Sequence, residues 1–67
     1  MDKTTIKAFI AWLETASEEE IEAKRRELLH ALERMTVPET RADARLGLRL
    51  IDEEALARME LGRSRQG

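Results

Sequence analysis

The chain has 67 residues, no cysteine and one histidine, and 39% of its residues are charged although its net charge is only −2. A domain of this length buries a small core, which rarely contributes more than about 3–5 kcal/mol to folding. The absence of cysteine excludes disulfides and thiolate zinc sites as further sources of stability. We therefore expect a single domain that is stabilised by homodimerisation.

The composition indicates an all-α protein. Strong helix formers (Ala, Glu, Leu and Arg) dominate, whereas glycine and proline are scarce. No apolar run approaches the about 20 residues that a membrane-spanning helix requires. We therefore expect a soluble, cytoplasmic protein that does not contact a membrane. The excess of arginine over lysine favours a bacterial origin.

The first predicted helix covers residues 4–15. Asp2, Thr4 and Thr5 are suitable N-cap residues. The apolar residues that then follow the i, i+3, i+4, i+7 spacing of one buried helix face are Ile6, Phe9, Ile10 and Leu13. Trp12 lies at the flank of this face, where the pattern fits core packing and contact with a partner equally well.

The second predicted helix covers residues 18–35. Ser17 and Glu20 have the spacing of a capping box, in which each side chain accepts a hydrogen bond from the backbone of the other residue. The apolar residues that fall within about 60° of the helical wheel are Ile21, Leu28, Leu32 and Met35. This segment is therefore predicted to be an amphipathic helix.

A break at Pro38 precedes the third predicted helix, residues 37–61, because the residue before a proline is pushed out of the α conformation. Gly62 is a suitable helix-ending residue. We therefore expect one helical domain, residues 1–61, and a flexible basic tail, residues 62–67. The predicted fold is a small antiparallel three-helix arrangement, in which an N-terminal helix joins a helical hairpin.

Two apolar stripes lie on opposite sides of the third helix. One stripe consists of Ala42, Leu46, Leu50, Ala57 and Leu61, and the other of Ala44, Leu48, Ile51, Ala55 and Met59. A single hairpin covers only one stripe, so the other needs a second chain. The residues that we expect at the interface between two chains are Trp12, Leu48, Ile51, Ala55, Leu56 and Met59.

Residues 45–50 also fit an alternative. Polar or small residues alternate there with leucine at a period of two, as in a half-buried strand, and Gly47 disfavours a helix by about 1 kcal/mol relative to alanine. A lone strand leaves its backbone groups unpaired, so this alternative requires a symmetry-related copy. We favour the continuous helix.

No pattern predicts a catalytic, cofactor or metal site. Glu27 and His30 have the spacing of the Glu-x-x-His pairs of di-iron bundles, but His30 falls almost opposite the apolar stripe of its helix. Ser17 is a capping residue, and the chain has neither a cysteine nucleophile nor a glycine-rich phosphate loop. We expect a protein that is not an enzyme and binds no cofactor, metal ion or small molecule.

Two functions fit the sequence. The favoured function is that of a homo-oligomeric adaptor, in which a helical face mediates protein–protein interaction. The alternative is a small DNA-binding transcriptional regulator, in which Arg41, Arg45 and Arg49 form a line that contacts phosphates. The negative net charge and the absence of aromatic residues among these arginines disfavour nucleic acid as a partner.

Overall fold

The computed structural model describes the backbone of residues 1–66 and the side chains of residues 1–62. Over these residues the chain forms three α-helices and no strand: α1 (Lys3–Thr15), α2 (Glu18–Arg34) and α3 (Pro38–Gln66). The prediction of an all-α fold with three helices is confirmed. Because α3 is continuous through residues 45–50, the strand alternative is wrong.

Asp2, one of the three N-cap candidates of α1, caps that helix, and the predicted capping box of α2 forms. The Asp2 carboxylate accepts a hydrogen bond of 2.7 Å from the backbone N–H of Thr5 at the start of α1. In the capping box of α2, the Ser17 hydroxyl accepts from the Glu20 N–H at 3.1 Å, and the Glu20 carboxylate accepts from the Ser17 N–H at 3.0 Å. Each cap satisfies N–H groups that have no partner within the helix.

The predicted end of the third helix at Leu61 is wrong, because α3 continues to Gln66. Glycine ends a helix when it adopts a positive φ, and no glycine in the described chain does so. Gly62 is therefore an ordinary position inside α3. Gly67 and the side chains of residues 63–67 lie outside the described part of the chain, so the flexibility expected of the tail stays a prediction.

The three helices pack side by side, with α1 and α2 both against α3. The hairpin of α2 and α3 is antiparallel. The Arg25 guanidinium of α2 donates a hydrogen bond of 2.6 Å to the Asp52 carboxylate of α3. The Met1 ammonium group contacts the Asp43 carboxylate, whereas the end of α1 lies beside Arg58. Helix α1 therefore runs parallel to α3, and the whole molecule measures 46 × 24 × 15 Å.

A small apolar core lies where the three helices meet. Its fully packed members are Leu13, Ala16, Ile21 and Ile51. The partly buried residues against it are Phe9, Trp12, Leu28 and Leu50. Gly47 allows α2 to approach α3 closely, because a Cβ atom at this position would lie only 3.1 Å from Leu28 Cδ1. The glycine that favoured a strand in the sequence is thus a packing residue of a helix.

Candidate protein interface

Arg58 of α3 closes the C-terminal end of α1. Its guanidinium donates hydrogen bonds to the backbone carbonyls of Leu13 and Ala16, at 2.9 and 2.7 Å. The Glu54 carboxylate, 3.0 Å from Arg58 Nε, holds the guanidinium in place. The last carbonyls of a helix lack partners within it and carry partial negative charge, so a guanidinium there satisfies both requirements. The Arg58 side chain consequently has a structural role.

Arg41 of α3 closes the C-terminal end of α2 in the same way. Its guanidinium donates to the carbonyls of Leu32 and Met35, at 2.9 and 3.0 Å, and the residue is half-buried. Of the other two arginines proposed to contact phosphates, Arg45 is exposed and Arg49 lies 3.4 Å from the Glu53 carboxylate. The structure therefore does not bring the three guanidinium groups together on one free surface.

The residues predicted at the interface are divided between the core and the surface. Ile51 is completely buried among the helices of its own chain, so its assignment to an interface between chains is corrected: it is a core residue. Leu48 and Ala55 are half-buried on α3. Only Leu56 and Met59 are largely exposed, at 57% and 58%.

Trp12 packs on the core cluster and stays partly accessible at the groove between α1 and α2. Its ring lies 5.8 Å from the ring of Phe9, and the Lys24 ammonium lies 6.0 Å from the Trp12 ring centre. A cation over an indole face is attracted by the electrons of the ring. Trp12 therefore connects α1 to α2, and it is half-buried.

Among the described residues, five further large apolar residues are exposed that the predicted interface did not include: Met1, Ile10, Leu29, Val37 and Leu61. Leu61 is 60% exposed near the end of α3, and Ile10 is 38% exposed on α1. Ile10 also lines a shallow groove between α1 and α3, which we call the α1–α3 groove; its lining residues are Ile10, Leu13, Leu50, Glu53, Glu54 and Ala57. Leu50, Ala57 and Leu61 belong to the stripe of α3 that the sequence had assigned to the core. The periodicity alone could have found this second surface.

The ionisable groups whose pKa values are shifted belong to the two N-caps and to one ion pair. Hydrogen bonds from the backbone of Thr5 and of Ser17 lower the pKa values of the Asp2 and Glu20 carboxyls, respectively. The hydrogen bond to Asp52 raises the pKa of the Arg25 guanidinium. These causes are structural, and none is a charge held in a closed cavity.

The described residues contain no group of three His, Cys, Asp or Glu side chains arranged to hold a metal ion. Across the part of the chain that the structure describes, no helix is both long and apolar enough to cross a membrane. No protein-family model, curated protein or solved structure matches this chain.

Proposed function

We propose that this chain is a non-enzymatic, cytoplasmic adaptor that works as a homodimer and binds through the face of α3 that its own α1 and α2 leave free. One observation carries the proposal: three large apolar side chains in the last turns of α3, Leu56, Met59 and Leu61, are each more than half exposed. Scattered exposed leucines are ordinary on protein surfaces. Three within six residues exceed that scatter: Leu56 lies on the side of α3 that faces away from α1 and α2, and Met59 and Leu61 lie on its two flanks, so the outer half of these turns is apolar.

Helix lengths explain why Leu61, the last of the three residues, is left uncovered. At 1.5 Å per residue, the 29 residues of α3 extend about 43 Å, whereas the 17 residues of α2 extend about 26 Å. The start of α2 lies beside Ala55, Arg58 and Met59, so the turns that follow extend past the hairpin. Leu61 lies in these turns.

The energetic argument follows from the size of the core. Leaving a leucine or methionine in water forgoes about 1.5–3 kcal/mol relative to full burial. The total stability expected at this length is only about 3–5 kcal/mol. A second chain that covers even part of the exposed apolar surface therefore changes the stability substantially.

Sedimentation equilibrium at micromolar concentration tests the proposal. We expect the wild type to have twice the chain mass, and a melting temperature that falls on dilution. Leu56→Glu should be monomeric. Leu29→Glu is the matched control, because Leu29 is also an exposed leucine, at 45%, but lies on α2. A wild type that is monomeric, with a melting temperature independent of concentration, contradicts the proposal.

A further inference from the structure

We infer that two copies associate through the outer face of α3, running antiparallel with their two-fold axis at the level of Ile51. This inference rests on the proposed homodimer and specifies its geometry. The outer face is defined as the set of α3 residues that follow one another at alternating intervals of four and three: Ala42, Leu46, Arg49, Glu53, Leu56 and Glu60. This spacing is that of the contact positions in a coiled coil.

The outer face is free in the single chain. Leu46 is half-buried, and the other five residues are exposed. The side chains of Arg49 and Glu53 are 77% and 60% exposed. The buried residues of α3 (Ala44, Gly47 and Ile51) lie on the side of the helix that faces α1 and α2. Apart from the exposed ion pair of Arg49 with Glu53 of the same helix, at 3.4 Å, the outer face is directed away from α1 and α2.

The outer face is complementary to the outer face of a second copy that runs in the opposite direction. Leu46 and Leu56 are equally distant from position 51, and so are Arg49 and Glu53. An antiparallel pair centred there places Leu46 against the partner's Leu56, and Arg49 against the partner's Glu53. Each of these contacts occurs twice, because a two-fold interface is the same for both copies. Two leucine pairs thus enclose two pairs of opposite charge.

Other arrangements lose this complementarity. A parallel pair in register places arginine against arginine at position 49 and glutamate against glutamate at positions 53 and 60. Like charges at these positions oppose association. The charges therefore select the antiparallel pair.

The position of α1 fits the same arrangement. A two-fold axis perpendicular to the two α3 helices leaves α1 of both copies on the same side of the pair. The two α1–α3 grooves then face each other, and Ile10 of each copy lies close to the axis because it lines the groove beside Leu50 and Glu53. The contact consequently becomes a four-helix arrangement of two α1 and two α3 helices, with apolar residues from all four helices inside.

Exchanging the charges tests this geometry. In the Arg49→Glu chain both contacts between two copies become Glu–Glu, and in the Glu53→Arg chain both become Arg–Arg. We expect each purified variant to be monomeric at a concentration where the wild type is dimeric. A mixture of the two restores both opposite-charge contacts, so light scattering and native mass spectrometry should show a heterodimer. A chain that carries both substitutions should be a homodimer again.

Two control variants separate specific contact from overall charge. Arg26→Glu and Glu33→Arg change the net charge by the same amounts, at exposed positions of α2. These controls should stay homodimeric and form mixed dimers only in statistical proportion. Circular dichroism should show all variants to be equally helical.

The outcomes distinguish the geometry from the proposed function. Monomeric single variants whose mixture yields a heterodimer support the antiparallel pair. Single variants that stay dimeric while the wild type is dimeric overturn this geometry but leave self-association intact. A wild type that is monomeric throughout overturns both.

Discussion

Gly47 of α3 packs closely against Leu28 of α2. An added Cβ would lie 3.1 Å from Leu28 Cδ1, which is slightly too close, but this atom is the end of a flexible, half-buried side chain beside an open groove. A small rotation of Leu28 therefore relieves the overlap. Alanine in place of glycine stabilises a helix interior by about 0.5–1 kcal/mol.

We accordingly expect Gly47→Ala to raise the melting temperature by a few degrees, because about 1 kcal/mol corresponds to roughly 4–8 °C at this size. Gly62→Ala is the reference, since no atom lies within 4 Å of a Cβ there. Gly47→Val should lower the melting temperature, because its branched side chain meets both Leu28 and Phe9. A decrease in melting temperature for Gly47→Ala would show that Leu28 cannot move.

Ile51 shows what residue patterns could and could not reveal. Periodicity correctly identified two apolar stripes on α3, but it could not determine which of them faces the core, since both consist of similar side chains. That choice depends on where α1 and α2 dock, and Ile51 is completely buried as a result. Substituting Ile51 by glutamate should consequently unfold the chain instead of separating two chains.

At the scale of the helix, α1 depends on Arg58. Replacement by methionine keeps the length of the side chain but removes both hydrogen bonds to the carbonyls of Leu13 and Ala16. Charge-assisted hydrogen bonds of this kind contribute about 1.5–3 kcal/mol. We expect Arg58→Met to lower the free energy of unfolding by an amount in that range, measured by urea titration.

Arg45→Met is the control for Arg58→Met, since it removes the same group from an exposed position of α3. The loss in Arg58→Met should be accompanied by faster amide exchange at the end of α1 than in α2. Unchanged exchange in α1 would refute the role assigned to Arg58.

Acid should weaken the N-terminal ends of α1 and α2. The folded pKa of Asp2 lies below 3.8 and that of Glu20 below 4.5, because both carboxylates accept backbone hydrogen bonds. Because the folded pKa lies below the unfolded pKa, each carboxylate contributes its full stabilisation above the unfolded pKa. This contribution is lost as the pH falls through the folded pKa. We therefore expect the melting temperature to decline as the pH falls below about 4.5.

On acidification, the melting temperature of the combined Asp2→Asn and Glu20→Gln variant should fall less than that of the wild type. Asparagine and glutamine can cap a helix, and their side chains do not take up a proton in this pH range. Glu33→Gln, outside the caps, should follow the wild type. Identical acid profiles for the cap variant and the wild type would contradict this assignment.

The N-caps, which join neighbouring residues, could be predicted from the sequence. The C-terminal helix ends that Arg41 and Arg58 close could not. A capping box lies within four consecutive residues, so its spacing is visible in the sequence. The contacts of Arg58 join residues 45 and 42 positions apart. Nothing in the neighbourhood of Arg58 indicates which distant helix end it meets. Arg41 resembled a phosphate contact because it stands in line with Arg45 and Arg49, although it closes α2 from only 9 and 6 positions away.

At the scale of the whole molecule, the charges do not favour nucleic acid. The net charge is −2, and Arg41 is already engaged with backbone carbonyls. We expect no binding to duplex DNA in an anisotropy titration at micromolar protein and moderate salt. Tight binding that weakens steeply with salt, and that disappears in Arg45→Ala/Arg49→Ala, would instead favour a DNA-binding function.

The parallel placement of α1 on α3 implies an order of assembly. Arg41 reaches carbonyls only 9 and 6 positions away, so the α2–α3 hairpin closes through short loops. Helix α1 docks on α3 through contacts 42 or more positions apart, which form more slowly. We therefore expect the hairpin to nucleate the fold and α1 to complete it by docking on α3. Since α1 also supplies Ile10 to the proposed pair, we expect two chains to associate only after each has finished folding.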